Sequence, residues 1–158
     1  MGNPSTTFLS LLSAAAALPV LISLATAQGT LEPDEATLRA IVQTLEDGWN
    51  AGDSAKFASP FASDADYVIV NGQHIRTRAV IDFGHKQIFG TIYKGSKNKH
   101  TVKQIRFLKP DVAVIHVEWN LLYGEKLENK NRAMNSIIAV KNGGKWEIAA
   151  FHNTPITN

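Results

Sequence analysis

Apolar side chains recur at helical spacing in the first half of the chain. The first series runs between Pro33 and Gly52 and contains Leu38, Ile41, Val42, Leu45 and Trp49. Proline is favoured in the first turn of a helix and glycine just beyond its end, so this spacing predicts one amphipathic helix that begins at Pro33. A short second helix carrying Phe57 and Phe61 is predicted after it, and a third is predicted between Thr77 and Gly90.

Strand patterns occupy the rest of the chain. Asn71-Gly72 is a strong turn signal and predicts a hairpin between residues 66–70 and 74–76. Four longer strands are predicted at residues 101–108, 112–123, 131–141 and 145–153, with turns between them. Helices that do not alternate with strands indicate an α+β fold and argue against a doubly wound one.

The last predicted strand ends in two consecutive polar residues, His152 and Asn153, just before Pro155. A strand that only closes a core would be expected to end in apolar side chains. Alternation places His152 and Asn153 on opposite faces of the sheet unless a bulge intervenes. A binding site near the end of this strand is therefore predicted.

Composition limits the classes of protein that need to be considered. With 158 residues, 44% apolar and 19% charged, the chain suits one domain with a substantial core. Residues 1–27 carry no charged side chain and end in Ala25-Thr26-Ala27, which predicts a secretory signal peptide and a domain at residues 28–158 that is secreted or periplasmic. Without cysteine the chain has no disulfide, thiol nucleophile or thiolate metal site.

Charge is unevenly distributed along the chain. Residues 32–66 contain eight acidic and two basic residues, whereas residues 76–109 contain nine basic residues and one acidic residue. These bases lie on a predicted helix, a loop and a strand, without interleaved aromatic residues or a nucleic-acid-binding motif. We therefore expect a solvated, dipolar domain that binds no nucleic acid and, after signal cleavage, no membrane.

Several segments together resemble a known family. They are Trp49-Asn50-Ala51-Gly52-Asp53, Phe61-Ala62-Ser63-Asp64-Ala65-Asp66-Tyr67, Asn71-Gly72, Arg106-Phe107-Leu108-Lys109-Pro110-Asp111-Val112-Ala113-Val114, Gly144-Lys145-Trp146 and Ala150-Phe151-His152-Asn153-Thr154. In this combination the chain resembles the SnoaL-like families of the nuclear transport factor 2 superfamily, and within them the group named after SgcJ and EcaC. The resemblance covers about residues 30–154.

That resemblance implies three N-terminal helices packed in a strongly curved antiparallel sheet, a cone with a pocket at its open end. Members include isomerases, cyclases and dehydratases, and also proteins that only bind ligands or assemble as homodimers. The oxyanion-donating tyrosine and the carboxylate base of the ketosteroid isomerases correspond here to Leu45 and Ile69, so that reaction is not expected. His85 corresponds to a supporting tyrosine of the same site.

His85 is the candidate catalytic residue. It lies between Ile81 and Ile88 on the apolar face of the third helix. A histidine in this position is either a buried, hydrogen-bonded structural residue or an acid or base of the pocket. His116 is read as a packed or interface residue, and His74 and His100 as exposed. A metal site made by His85, His116 and His152 has no supporting spacing, so neither a metal nor another cofactor is predicted.

The resemblance also orients the strands around the pocket. It turns Ala149, Phe151 and Asn153 inward on the last strand and leaves Trp146, Ile148, Ala150 and His152 for the other face, although an alignment gap would exchange the two sets. His152 is therefore kept among the candidates. The predicted ligand-binding residues are Trp49, Tyr67, Asn71, Asn135, Phe151, His152 and Asn153.

Three functions are compatible with these residues. The first is an enzyme, such as an isomerase, cyclase or dehydratase, acting on a small, mostly apolar, oxygenated compound. The second is an exported protein that binds such a ligand without chemistry, and the third is a homodimeric assembly domain. Asparagine amides bind oxygen atoms well but carry no proton at neutral pH, which slightly favours binding.

Overall fold

The computed structural model describes residues 20–123 and 128–157. Its elements follow in the order α1 (Val20–Ala51), α2 (Ser54–Ala58), β1 (Phe61–Val68), β2 (His74–Arg76), α3 (Arg78–Gly90), β3 (Lys97–Lys109), β4 (Val112–Tyr123), β5 (Glu128–Asn142) and β6 (Lys145–Pro155). The predicted α+β class is confirmed. The third helix, however, follows the β1–β2 hairpin, so the helices do not all precede the sheet.

The described strands form one curled sheet in the order β2-β1-β6-β5-β4-β3. All neighbouring strands are antiparallel except β1 and β6, which are parallel, so the expectation of a purely antiparallel sheet is wrong. The reason lies in the connection through α3, which carries the chain from one side of the sheet to the opposite edge. Three hairpins then bring β6 back beside β1 in the same direction.

The core lies between α1 and the concave face of the sheet. The predicted apolar stripe of α1 is buried throughout, with Leu38 and Leu45 at most 1% exposed. On β4 buried positions alternate with more exposed ones, and Ile115 and Val117 are likewise at most 1% exposed. Helix spacing and strand alternation in the sequence thus correctly identify the two surfaces that pack together.

Polar contacts fix both ends of the segment of α1 between Asp34 and Asn50 against the sheet. Near its start, Asp34 Oδ1 accepts hydrogen bonds from Lys141 Nζ and Trp146 Nε1, both at 2.8 Å. Near its end, the Asn50 side chain pairs with the backbone of Asn98 on edge strand β3, donating to the carbonyl at 3.0 Å and accepting from the N–H at 2.7 Å. Asn50 therefore contacts the edge of the sheet as a neighbouring strand would.

The start of α1 differs from the prediction. The helix already includes Val20, the first described residue, and it contains Pro33 in its interior, although proline lacks the N–H of a normal helical hydrogen bond. Of the predicted signal peptide, residues 1–19 lie outside the described residues and residues 20–27 belong to α1. Within the described part of the chain, no helix is both long enough and apolar enough to cross a membrane.

The Asn-Ala-Gly-Asp segment forms the corner between α1 and α2. Gly52 has a φ of +66°, which favours glycine, and its N–H donates to the Trp49 carbonyl at 2.9 Å. Asp53 then caps α2 by accepting from the Lys56 N–H at 2.9 Å. Phe61 was predicted on this helix but begins β1 instead, because α2 ends at Ala58 before Pro60.

The side chains in the first half of β6 also point in directions that differ from the prediction. Trp146 and Ile148, predicted to face outward, are buried at 4% and 0% exposure, whereas Phe151 and Asn153 are buried as predicted. The cause is a bulge, since pairing with β5 shifts between Ile138 and Ala139 and the extra residue falls at 149–150. A bulge shifts the alternation of inward and outward side chains by one residue. The inward residues on either side of it, Ile148 and Phe151, are therefore three positions apart.

The α1–α2 corner generates a stability prediction. A Cβ atom at Gly48 would lie 2.4 Å from the backbone nitrogen of Phe57, so we expect Gly48→Ala to lower the free energy of unfolding by about 1–3 kcal/mol, as overpacking typically does. Gly84→Ala is the matched control because a Cβ there meets no atom within 4 Å, and we expect it to raise stability by about 0.5–1 kcal/mol. Urea unfolding measures both; a Gly48→Ala variant as stable as the unmodified protein would contradict the close contact.

Candidate functional site

A cavity of about 280 Å³ lies between α3, the β1–β2 hairpin and the inner face of β4 and β6. It opens beside Val70 and Ile92, which are 39% and 67% exposed. Its walls are mainly aromatic and aliphatic, and polar side-chain groups are carried by Tyr67, Asn71, His85, Tyr93 and Asn153. The other lining residues are Trp49, Ile69, Val70, Ile75, Gly84, Ile88, Ile92 and Trp119. No charged side chain is among these described lining residues.

Most of the residues predicted from the sequence converge in this cavity, which is therefore named the main cavity. Trp49, Tyr67, Asn71, His85 and Asn153 line this cavity. Two others, Asn135 and Phe151, line a void of about 10 Å³ that shares four wall residues with it. The geometry thus brings the candidates together, while their binding of a ligand stays a prediction.

His152 does not belong to the set. It is exposed and lies outside both cavities, on the face of β6 opposite to Asn153. The bulge precedes this part of the strand, and regular alternation after it turns Phe151 and Asn153 inward and His152 outward. The inclusion of His152 among the ligand-binding candidates is therefore corrected.

His85 is held by its own helix and by an aromatic neighbour. Its Nδ1 donates to the Ile81 carbonyl at 2.7 Å, and its ring stacks on Phe57 with centroids 4.0 Å apart. Burial lowers the pKa of His85 to about 4, so the ring is neutral at pH 7. Since Nδ1 carries the single ring proton, Nε2 is left as a hydrogen-bond acceptor.

Tyr67 supplies a hydroxyl that stays protonated. Its ring stacks on Phe151 with centroids 4.7 Å apart and an angle of 5°, and it meets His85 edge-on at 5.6 Å. Burial, with a smaller contribution from nearby Tyr93, raises the pKa of Tyr67 well above its usual value. Tyr67 is therefore a neutral hydrogen-bonding group at physiological pH.

Two asparagines, one of them lining the cavity, form a polar pair beside the small void. Asn135 on β5 and Asn153 on β6 are directly paired in the sheet and face inward, at 2% and 6% exposure. Asn135 Nδ2 donates to Asn153 Oδ1 at 2.9 Å. One amide hydrogen-bonding group of each residue therefore remains available to other partners.

The remaining histidines lie apart from this cavity. His116 Nδ1 lies 3.3 Å from Gln104 Oε1, and His74 Nε2 lies 2.8 Å from Asp66 Oδ1. His100, which was expected to be exposed, is half-buried, and its Nδ1 lies 3.3 Å from the Val42 carbonyl. Among the residues with a described position, no three His, Cys, Asp or Glu side chains come together as metal ligands.

A second cavity, of about 330 Å³, lies beside the end of α1 and the loop before β3. Its polar groups already bind one another: Trp49 Nε1 donates to Ser96 Oγ at 3.1 Å, and Ser96 Oγ donates to the Tyr93 carbonyl at 2.8 Å. Lys97 Nζ donates to the Asn50 carbonyl. These contacts hold the end of α1 in place, which favours a structural role.

Several wall residues of the main cavity were missed from the sequence. Trp119 continues the inward alternation of Val117 and Leu121 on β4, so its position could have been found by strand period alone. Ile92 and Tyr93 lie in a loop, where no periodic pattern indicates direction. Gly84 contributes by having no side chain, which exposes the backbone of α3 to the cavity.

The sequence profile of the family described as "Putative lumazine-binding" matches residues 33–152, which extend from the second half of α1 into the last strand, β6. The chain belongs to this family. A search of curated proteins finds no match to the sequence. The "Putative lumazine-binding" match thus covers every residue that lines the main cavity except Asn153, which lies one position beyond its end.

Solved structures agree on the fold. A domain of unknown function with a cystatin-like fold from Nostoc punctiforme is 27% identical, with a TM-score of 0.77 over 80% of this chain and 79% of that chain. An NTF2-like protein from Novosphingobium aromaticivorans is 15% identical, with a TM-score of 0.72 over 90% and 94%. A protein from the same species titled "Putative Scytalone Dehydratase" is 12% identical, with a TM-score of 0.70 over 82% and 89%. The predicted nuclear transport factor 2-like fold is confirmed.

The environment of His85 predicts its titration. We expect the ring to stay neutral, with the proton on Nδ1, from pH 7 to pH 5 and to become protonated with a midpoint of about 4, because burial disfavours the cation. Long-range ¹H–¹⁵N correlation spectra report both the tautomer and the midpoint, and His85→Gln assigns the signals. An imidazolium at pH 6 would contradict the buried geometry.

Proposed function

We propose that the protein binds a small, flat, uncharged aromatic compound bearing oxygen or nitrogen groups, and that it does so in the main cavity without acid–base chemistry. The observation that carries this proposal is an aromatic-walled cavity whose polar groups are all neutral hydrogen-bonding groups. The family description supports it, since lumazine is a two-ring pteridine with N–H and carbonyl groups.

Size and shape favour a ligand of one or two rings. The cavity volume of about 280 Å³ lies at the lower limit of the roughly 300–1,000 Å³ typical of small-molecule sites. Trp49 and Trp119 meet edge-to-face at 5.2 Å, and Tyr67 adds a third ring to the wall. Aromatic walls of this kind offer both faces and edges for contact with a flat ligand.

The walls also favour an uncharged ligand. A charge moved from water into this cavity would lose its hydration, and no opposite charge among the described lining residues would compensate. His85 Nε2 can accept from an N–H or O–H of the ligand, whereas the Asn153 amide can donate to a carbonyl. A ligand with both kinds of group would satisfy both residues.

Binding is favoured over catalysis by the state of the same groups. A general acid must hold a proton that it can release near neutral pH, but the only ring proton of His85 is bound to the Ile81 carbonyl. The raised pKa of Tyr67 keeps its hydroxyl proton in place, and asparagine carries none to give. The catalytic role predicted for His85 is therefore replaced in this proposal by ligand binding.

We expect lumazine to bind the purified protein at neutral pH with one site per chain, as measured by isothermal titration calorimetry. His85→Phe keeps an aromatic ring against Phe57 but removes the acceptor, so affinity should fall about two- to tenfold, the value of one hydrogen bond. His152→Phe, the same substitution outside the cavity, should bind as the unmodified protein does.

Two outcomes would contradict this assignment. If His85→Phe and His152→Phe lowered the affinity for lumazine equally, the cavity would not be the binding site. Chemical conversion of the compound, detected by chromatography after incubation, would instead favour an enzyme such as an isomerase, cyclase or dehydratase.

The finer family assignment is also proposed. The Asn-Ala-Gly-Asp, Pro-Asp-Val-Ala and Phe-His-Asn-Thr segments support membership of the SnoaL-like families, in the group named after SgcJ and EcaC. In the structure the first segment forms the α1–α2 corner and the last includes Asn153, so the resemblance includes residues of both the scaffold and the cavity.

We also propose an exported homodimer. The outer face of the sheet carries partly exposed apolar side chains that pair across strands, Val114 with Ile138 and Val112 with Val140, and no described element covers them. Self-association through a single face is the commonest route to a symmetric dimer. The uncharged residues 1–27 support export to the periplasm or the exterior.

Native mass spectrometry of protein recovered from the exported fraction tests export and assembly together. We expect the mass of a dimer of residues 28–158. A chain that retains residues 1–27 would contradict cleavage of a signal peptide, and a monomer at micromolar concentration would contradict the dimer.

A further inference from the structure

A small void adjoins the main cavity and shares part of its wall. It measures about 10 Å³ and shares Trp49, Tyr67, Trp119 and Asn153 with the cavity. Its other walls are the side chains of Leu45, Phe57, His100, Asn135 and Phe151. A volume of roughly 10–15 Å³ is what a single water molecule or one oxygen atom requires.

Three wall residues have hydrogen-bonding capacity that the described residues leave unused. The Asn135–Asn153 bond occupies Asn135 Nδ2 and Asn153 Oδ1, and no other described residue bonds Asn153 Nδ2 or Asn135 Oδ1. His100 donates from Nδ1 to the Val42 carbonyl, which leaves Nε2 as an acceptor. These three residues therefore offer one donor group and two acceptors, and the wall residues Tyr67 and Trp119 also carry a hydroxyl and an indole N–H.

Only certain groups can satisfy this combination. A buried amide without a partner is costly, so a polar group is expected in contact with it. Water and hydroxyl groups both donate and accept, whereas a carbonyl only accepts and a methyl group does neither. A charged group is disfavoured because the remaining walls are aromatic or aliphatic.

We propose that this void is an oxygen subsite beside the main cavity, occupied by one water molecule in the free protein and by a hydroxyl group of the bound aromatic ligand. The proposal rests on the ligand-binding function above. It adds that hydroxylated aromatic compounds are preferred over analogues of the same shape that lack the hydroxyl.

The test compares 2-naphthol with 2-methylnaphthalene, two compounds of similar shape, by calorimetry on the full chain. We expect 2-naphthol to bind about tenfold more tightly, since a methyl group would leave the amides unpaired. Asn135→Leu should remove this preference. Asn131→Leu, the same substitution at an exposed position of the same strand, should retain it.

The outcomes separate the subsite from the binding function. Equal affinity for the two compounds, or a preference that survives Asn135→Leu, would overturn the subsite and leave cavity binding intact. Binding of neither compound would overturn cavity binding itself. If Asn135→Leu does not fold, a high-resolution crystal structure of the free protein decides: water between Asn135 and Asn153 supports the subsite, and an empty void overturns it.

Discussion

The packing of α1 against the concave face of the sheet is the constraint on which the cavity depends. Asp34 holds one end of the packed segment through Lys141 and Trp146, and Asn50 holds the other through the backbone of β3. The hydrogen bonds to Asp34 keep the pKa of its carboxyl below the usual value, so the contact is ionic at neutral pH. With α1 fixed, α3 and the β1–β2 hairpin close over the remaining concave surface.

Trp49 connects this scaffold to the site. It lies on the last turns of α1 and is within 5.1–6.2 Å, between ring centroids, of the aromatic rings of Phe57, His85, Phe89, Tyr93 and Trp119. These contacts bring α2, α3 and β4 together around one side chain. The same desolvated surroundings keep His85 neutral, so packing and the chemistry of the site have a single physical origin.

Much of the fold was predictable because it follows from spacing. The helix face of α1, the cap at Thr77 and the turn at Asn71-Gly72 depend on local sequence, and the structure contains each of them. The parallel pairing of β1 with β6 was not predictable in this way, since it depends on the path of the chain through α3. Tertiary packing, rather than residue propensity, decides such pairings.

The site was predictable in part for the same reason. The family resemblance, combined with strand alternation, placed Tyr67 and Asn135 inward, and both lie inward. The bulge at residues 149–150 involves two alanines, which have no side-chain pattern that would indicate it, and Trp146 was consequently assigned to the wrong face. Loop residues such as Ile92 follow no periodic pattern, so the sequence does not indicate which way their side chains point.

The distribution of tryptophan has an optical consequence. Trp49 and Trp119 line the cavity in edge-to-face contact, whereas Trp146 lies at the start of β6 and packs against Phe107 and Lys141. Two of the three indoles therefore share one chiral environment at close range, and the third has a separate one. Near-ultraviolet circular dichroism and fluorescence of the cavity pair thus report on what occupies the cavity, while Trp146 provides an internal reference for the scaffold.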